Sequence, residues 1–202
     1  MNLANQLTVL RVVLTPIFLY FLFLDGITYK LISLVIFIIA SLTDRYDGKL
    51  ARKHGLVSKW GTFLDPLADK LLISSALFAF YYLGYVKLWM VLIIVIRDFL
   101  VTFLRLYAIH KHKPVVTRYL AKVKTTVQIV VVFVVFVFLL VDQYIIMQGI
   151  ELAVITFLKN IYFIDIFMFV VMVLTAYTGI QYFIENRDHL YSIFNLGNSE
   201  SR

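Results

Sequence analysis

Apolar residues fall into six runs, near 9–24, 31–43, 66–86, 88–109, 123–141 and 161–184, separated by short polar connections. An α-helix crosses the hydrocarbon of a bilayer in about 20 predominantly apolar residues. The pattern therefore predicts an all-α integral membrane protein with six transmembrane helices. The second run is short for a span, so its helix is expected to continue through Asp44 and Asp47 toward Ala51. That extension carries both carboxylates into the membrane interface. The segment 142–160 is too polar to span and reads as an outer loop with a partial interfacial helix. The first run has neither a basic leader nor a small-residue cleavage site, so it reads as a retained helix and not as a signal peptide.

Composition agrees with the pattern. Of 202 residues, 62% are hydrophobic and 15% charged, more apolar surface than a water-soluble domain can hide. The absence of Cys excludes disulfides, thiolate metal sites and iron–sulfur chemistry, leaving oxygen or imidazole to hold any metal. A net charge of +7 would suit nucleic acid if the cations clustered on one face, but here they alternate with the apolar runs. Nucleic acid is therefore not an expected partner; the lipid bilayer is.

Lysine and arginine also set an expected orientation. Arg45, Lys49, Arg52, Lys53 and Lys59 crowd one connection, and Arg105, Lys111, Lys113, Arg118, Lys122 and Lys124 another; Lys30, Lys87 and Lys159 stand alone in the other three. The positive-inside rule puts the two basic connections, and both termini, in the cytoplasm of a multi-pass cell-membrane protein.

The first basic connection also carries the candidate chemistry. Asp44, Asp47, Asp65 and Asp69 lie within 26 residues. The first two are spaced i, i+3 and the last two i, i+4, so on helices each pair shares a face and the two pairs can form one four-carboxylate pocket. Mutual repulsion in such a pocket is relieved by protonation or by a multivalent cation. Magnesium favours carboxylate oxygens together with substrate phosphates, and Arg52 suits a bidentate phosphate contact. A solvated loop whose acids pair with Lys49, Arg52, Lys53 and Lys59 is the plainer alternative. Gly48 and Gly61 permit close backbone approach, and Pro66 marks a helix start or kink, with Asp65 as a possible N-cap.

The intervening residues narrow the choice. The spacing D-x2-D-G-x2-A-R-x8-G-x3-D-x3-D, filled by Asp44, Asp47, Gly48, Ala51, Arg52, Gly61, Asp65 and Asp69, resembles the signature of the CDP-alcohol phosphotransferase family at every fixed position. The resemblance implies one domain over 1–202 with a polar cytoplasmic tail from 185. Its fold would be six transmembrane helices with a short N-terminal interfacial helix. It further implies a CDP-linked lipid donor, two Mg²⁺ or Mn²⁺ ions, an alcohol acceptor, release of CMP and a homodimer. Carried over by position, Asp44, Asp47 and Asp65 ligate metal, and Asp69 ligates metal or acts as general base. Gly48, Ala51, Arg52 and Gly61, with Asp44 and Asp65, line the cytidine diphosphate. Asn5, Leu7, Thr8 and Arg11 resemble the family's N-x-L-T-x-x-R opening, which implies that Asn5, Thr8 and Arg11 contact the nucleotide side. A helix cap at Asn5 and an interfacial anchor at Arg11 are the plainer accounts.

The acceptor must be read from outside that motif. Lys122-Val123-Lys124-Thr125 through Gln128, a K-x-K-T-x-x-Q pattern, and Phe63 to Lys70, FLDPLADK, are similar to the phosphatidylglycerophosphate synthases of that family. The implied substrates are CDP-diacylglycerol and sn-glycerol 3-phosphate. Lys122 and Lys124 suit its phosphate, with positive-inside anchoring as the bland alternative. Arg97 and Asp98 interrupt an apolar run, and Arg105 returns to the face of Asp98 seven residues on. Arg105 is a candidate for the acceptor phosphate and Arg118 a weaker one; a structural network of Arg97 with Asp69 or Asp98 competes with this. Inositol phosphate, serine or phosphatidylglycerol remain alternative acceptors. A divalent-cation transporter is a remote one, because its acids would sit at mid-membrane in related halves. His54, His110, His112 and His189 match no tetrahedral metal pattern, and Ser58 has no histidine partner.

Overall fold

The structure is a computed structural model that describes residues 3–54, 59–110, 119–149 and 153–187; within these, the side chains of 3–7, 44–54, 59–65, 110, 119–123, 153, 154, 156 and 160 are not described. Seven helices make up the described residues: α1 (Leu3–Phe23), α2 (Ile27–His54), α3 (Lys59–Tyr82), α4 (Leu88–His110), α5 (Tyr119–Gln148), α6 (Ala153–Asn160) and α7 (Phe163–Glu185). No strand occurs among them. Where lipid cannot hydrogen-bond the backbone, a helix satisfies every N–H and C=O within its own segment.

The six long helices follow the six apolar runs, and α2 continues past Asp44 and Asp47 to His54 as its short apolar run required. Three expectations are corrected. The N-terminus forms no separate interfacial helix: α1 is continuous from Leu3 and takes Asn5 into its first turn, so Asn5 is not its cap. Pro66 does not start a helix. It lies inside α3, seven residues after Lys59, and Asp65 is therefore helical and not an N-cap. The missing proline N–H removes one hydrogen bond without ending the helix. The outer segment begins later than 142, because α5 runs to Gln148 and keeps Asp142 within it. The short α6 is the partial helix expected there. The tail after residue 187 lies outside the described residues.

Aromatic packing holds the bundle centre. Phe18 of α1, Phe37 of α2, Phe80 of α3 and Phe136 of α5 are all buried, with ring centroids 5.7 Å (Phe18 to Phe37), 5.8 Å (Phe37 to Phe136) and 5.1 Å (Phe80 to Phe136) apart. Tilted and edge-on rings at these separations each add about 0.5–1.5 kcal/mol beyond area burial. Around this centre α1 packs along α2 and α3, α4 against α3 and α7, and α5 against α7.

Large apolar side chains face outward all around. Val9, Val12 and Val13 on α1 and Ile166, Phe169, Val170 and Val173 on α7 are exposed, an outer surface matched to lipid and not to water. Lys124–Gln148 and Phe157–Glu185 are each long and apolar enough to cross a membrane, and Thr8–Phe23 and Ile27–Thr43 are shorter apolar stretches.

The helix ends opposite the aspartates are closed by specific polar contacts. The Lys30 ammonium, buried, donates to the carbonyls of Leu22 (3.2 Å) and Leu24 (3.0 Å), so a cation meets the negative end of α1. After α3 the chain reverses at Gly84, φ +82°, with Gly84 N donating to Tyr81 O and Tyr85 N to Phe80 O, both at 2.9 Å. That paired arrangement places a left-handed residue just past the helix, the conformation glycine adopts without strain. Tyr85 Oη then donates to Asp142 Oδ2 at 3.1 Å; Asp142 also pairs with Lys159, and Lys87 with Asp165 at 3.2 Å. The solitary lysines of the sparse connections are thus structural ties between helix ends.

Candidate active site

The polar residues at the opposite end are carried by helices whose sequences leave them no other place. Asp44, Asp47, Gly48, Ala51 and Arg52 lie on the last third of α2, and Gly61, Asp65 and Asp69 on the first half of α3. Both segments are α-helical, so the i, i+3 and i, i+4 spacings do put each aspartate pair on one face. The side chains of Asp44, Asp47, Arg52 and Asp65 lie outside the described ones, as do those of Asn5 and Lys122; Arg118 lies outside the described residues altogether. Helical spacing groups each pair, and the contact of α2 with α3 puts the two pairs on neighbouring helices.

Asp69 is described. Its Oδ2 accepts from the Lys70 ammonium at 3.1 Å, with both side chains mostly buried. Thr8 and Arg11, one turn apart on α1, are buried at 4% and 2% exposure. An arginine so buried is no interfacial anchor, because a snorkelling side chain keeps its charged head in water. α1 packs on both α2 and α3, so Thr8 and Arg11 turn inward in the same three-helix group that carries the aspartates.

A second polar cluster joins α4, α5 and α7. Asp98 and Lys124 form an ion pair with side chains 2% and 3% exposed. Arg97 Nη1 donates to Asp98 Oδ1 at 3.3 Å and Arg97 Nη2 to Thr178 Oγ1 at 3.0 Å. The competing network proposed for Arg97 is thus realised with Asp98, whereas Asp69 is paired with Lys70. The Lys70 charge acts through space on both Asp98 and Lys124, which ties Asp69 to this cluster. Arg105 lies near enough to Arg97 and Tyr182 to act on both. Lys124 is buried within the bundle, which rules out anchoring at the water interface as its role.

Motif reading overlooked α7 entirely. Thr175, Thr178, Gly179 and Tyr182 occupy one buried stripe at i, i+3, i+4 and i+7. Polar positions at that spacing inside a strongly apolar run were the available signal. Gly179 matters sterically: a Cβ there would stand 2.9 Å from Arg97 Cγ, so only glycine lets Arg97 cross to Thr178. Lys70 was overlooked too, although it stands next to the last aspartate.

A hard divalent cation fits the chemistry of these donors. Four carboxylates on two helices that pack together offer oxygen ligands only, and the chain has no thiolate to compete.

A family model described as CDP-alcohol phosphatidyltransferase matches residues 1–181. The chain belongs to that family. That family is, by its description, one of transferases. Among curated members of the CDP-alcohol phosphatidyltransferase family, a CDP-diacylglycerol--glycerol-3-phosphate 3-phosphatidyltransferase of Bacillus subtilis is 34% identical over 201 residues, spanning 94% of this chain and 97% of the relative. A probable phosphatidylglycerophosphate synthase of Mycobacterium tuberculosis is 42% identical over 134 residues, 65% of this chain and 64% of the relative. The match to the mycobacterial protein thus spans less than two thirds of its length. A Rickettsia felis protein named as the Bacillus one is 38% identical over 128 residues, 63% of this chain and 70% of the relative.

Proposed function

We propose that this protein transfers the phosphatidyl group of CDP-diacylglycerol to sn-glycerol 3-phosphate, giving phosphatidylglycerol phosphate and CMP. The alignment with the Bacillus subtilis phosphatidyltransferase over 94% of the chain carries this reading. The buried basic cluster of α4 and α5, next to Asp69, supports a phosphorylated acceptor.

In this reading Asp44, Asp47, Asp65 and Asp69 hold two Mg²⁺ or Mn²⁺ ions. Such ions, when bound, neutralise the pyrophosphate and stabilise attacking and leaving oxygens at phosphorus. Asn5, Thr8, Arg11, Gly48, Ala51, Arg52 and Gly61 surround the cytidine diphosphate. Lys124 and Arg105, with Lys122 and Arg118 beside them, hold the acceptor phosphate.

Asp69 takes the proton of the acceptor's 1-hydroxyl as that oxygen forms its bond to the phosphorus bearing diacylglycerol. The bond from that phosphorus to the CMP oxygen breaks, and CMP leaves with the electron pair, its charge met by Arg52. Lys70 keeps the Asp69 carboxylate oriented until the acceptor arrives. A single displacement requires no covalent enzyme intermediate.

The protein is taken as one domain of six membrane spans, α1 to α5 and α7, with α6 on the outer side. The aspartates and both termini then face the cytoplasm at the cell membrane, and a homodimer is the proposed assembly.

Purified protein supplied with Mg²⁺ or Mn²⁺ is expected to release CMP from CDP-diacylglycerol only when glycerol 3-phosphate is added. Equal release with inositol phosphate, serine or phosphatidylglycerol in its place would overturn the acceptor assignment.

A further inference from the structure

Buried polar atoms without a hydrogen-bond partner gather where α4, α5 and α7 meet. Arg97 Nε, Arg105 Nε, Gln128 Oε1, Thr175 Oγ1 and Tyr182 Oη are all inaccessible and make no hydrogen bond to any described residue. Tyr182 is 8% and Gln128 2% exposed. A buried donor or acceptor left without a partner is costly, because it has given up its hydrogen bonds to water and gained none in return. Several in one region are better explained by a polar ligand that completes them than by chance.

Charge identifies the class of ligand. Among the described side chains, Lys70, Arg97, Arg105 and Lys124 bring four positive charges to this region against the two carboxylates of Asp69 and Asp98, an excess of two. A phosphate monoester carries about −1.5 to −2 at neutral pH and offers acceptor oxygens only to its donors. Tyr182 lies within electrostatic range of both Arg97 and Arg105. Neither arginine can accept a proton from its phenol, so the hydroxyl next to them needs an external acceptor.

We propose that Tyr182 is a binding residue for the acceptor phosphate, donating its hydroxyl to a phosphate oxygen held by Arg105, so that α7 completes a site otherwise built from α4 and α5. This rests on the acceptor assignment above and adds a helix and a residue that no motif indicates. Gly179 and Thr178 serve the same site by fixing Arg97, whose side chain crosses from α4 immediately beside Tyr182's turn of α7.

The test is steady-state kinetics of Tyr182→Phe in detergent, with CDP-diacylglycerol and glycerol 3-phosphate varied separately. Loss of a hydrogen bond to a charged group is expected to raise the KM for glycerol 3-phosphate about tenfold or more. The KM for CDP-diacylglycerol and the melting temperature should stay at their wild-type values. An unchanged KM for glycerol 3-phosphate, or a parallel rise in both, overturns the role of Tyr182 while leaving the reaction assignment standing. A wild-type protein that turns over no glycerol 3-phosphate overturns the assignment itself and this inference with it.

Discussion

Gly179 of α7 and Arg97 of α4 are in direct contact: a Cβ on Gly179 would lie 2.9 Å from Arg97 Cγ and 3.2 Å from its Nε. The mid-portion of the arginine, not its flexible tip, fills the space a side chain would need. Gly179→Ala must therefore displace Arg97 from Thr178 and loosen its hold on Asp98. Overpacking of this kind costs about 1–3 kcal/mol. The variant should melt at a lower temperature and show a raised KM for glycerol 3-phosphate, whereas Gly84→Ala, distant from Arg97, should lower the melting temperature and leave that KM unchanged.

Removing one partner of the buried Asp98 and Lys124 pair should be far more damaging than removing both. Asp98→Asn leaves an ammonium at 3% exposure without its counter-ion, a change that costs about 3–5 kcal/mol. Asp98→Leu combined with Lys124→Met should restore part of the melting temperature, the Arg97 guanidinium still lacking the carboxylate it donates to. The double variant should nevertheless bind glycerol 3-phosphate poorly, because Lys124 is gone. Recovery of both stability and acceptor KM in the double variant would show that Lys124 is purely structural.

Asp69 is expected to behave as a proton acceptor whose removal affects turnover more than binding. Asp69→Asn keeps the size of the side chain but cannot take the proton, and kcat should fall by about 10²–10⁴-fold. Retained activity in this variant would eliminate Asp69 as the base. Lys70→Met should have a smaller effect, since it frees the carboxylate without removing it.

Metal removal separates the oxygen-ligand site from simple ion pairing. Dialysis against a chelator should abolish CMP release, and Mg²⁺ or Mn²⁺ should restore it. Mg²⁺ binds carboxylate sites that retain several water or substrate oxygens. A rise in melting temperature on adding the ion, lost in Asp44→Asn and Asp65→Asn, would assign the ion to these residues independently of turnover.

The end of the bundle opposite the aspartates predicts an alkaline weakness. Burial, and then the charge and hydrogen bond of Asp142, push the Tyr85 phenol well above its ordinary value of 10.0. Its folded pKa exceeds its unfolded one, so the stabilisation is complete below about pH 10, where both states are protonated. Above that pH the unfolded chain loses the proton first and stability falls as pH rises. Wild type should therefore lose melting temperature between about pH 10 and 12 more steeply than Tyr85→Phe.

The acceptor side was only partly legible in the sequence. Arg105 and Lys124 were visible as cations bordering or interrupting apolar runs, with interfacial anchoring left as the bland alternative for Lys124. Its burial against Asp98 is a contact between residues 26 positions apart on different helices, which periodicity along one helix cannot reveal. Thr178 and Tyr182 were invisible for a related reason. A threonine or tyrosine in an apolar run fits lipid-facing and buried positions alike, and only packing of α4 on α7 distinguishes them. Pro66 left a helix start and a kink both open, and its place inside α3 excludes the start, because a proline is compatible with continuation when neighbouring groups satisfy the freed carbonyl.

The sequence by itself determined the helical class, the number of long helices, the placement of the aspartates on two successive helices and the family, because these depend on local periodicity and on residue spacing within single segments. Tertiary structure decided which charges are paired, which are buried, and that α7 joins the polar cluster of α4 and α5. The physical reason is that burial and pairing are properties of helix packing. In a bundle with apolar surfaces on every side, packing is set by small residues such as Gly179 and by a few long side chains such as Arg97, whose partner Thr178 lies 81 residues away.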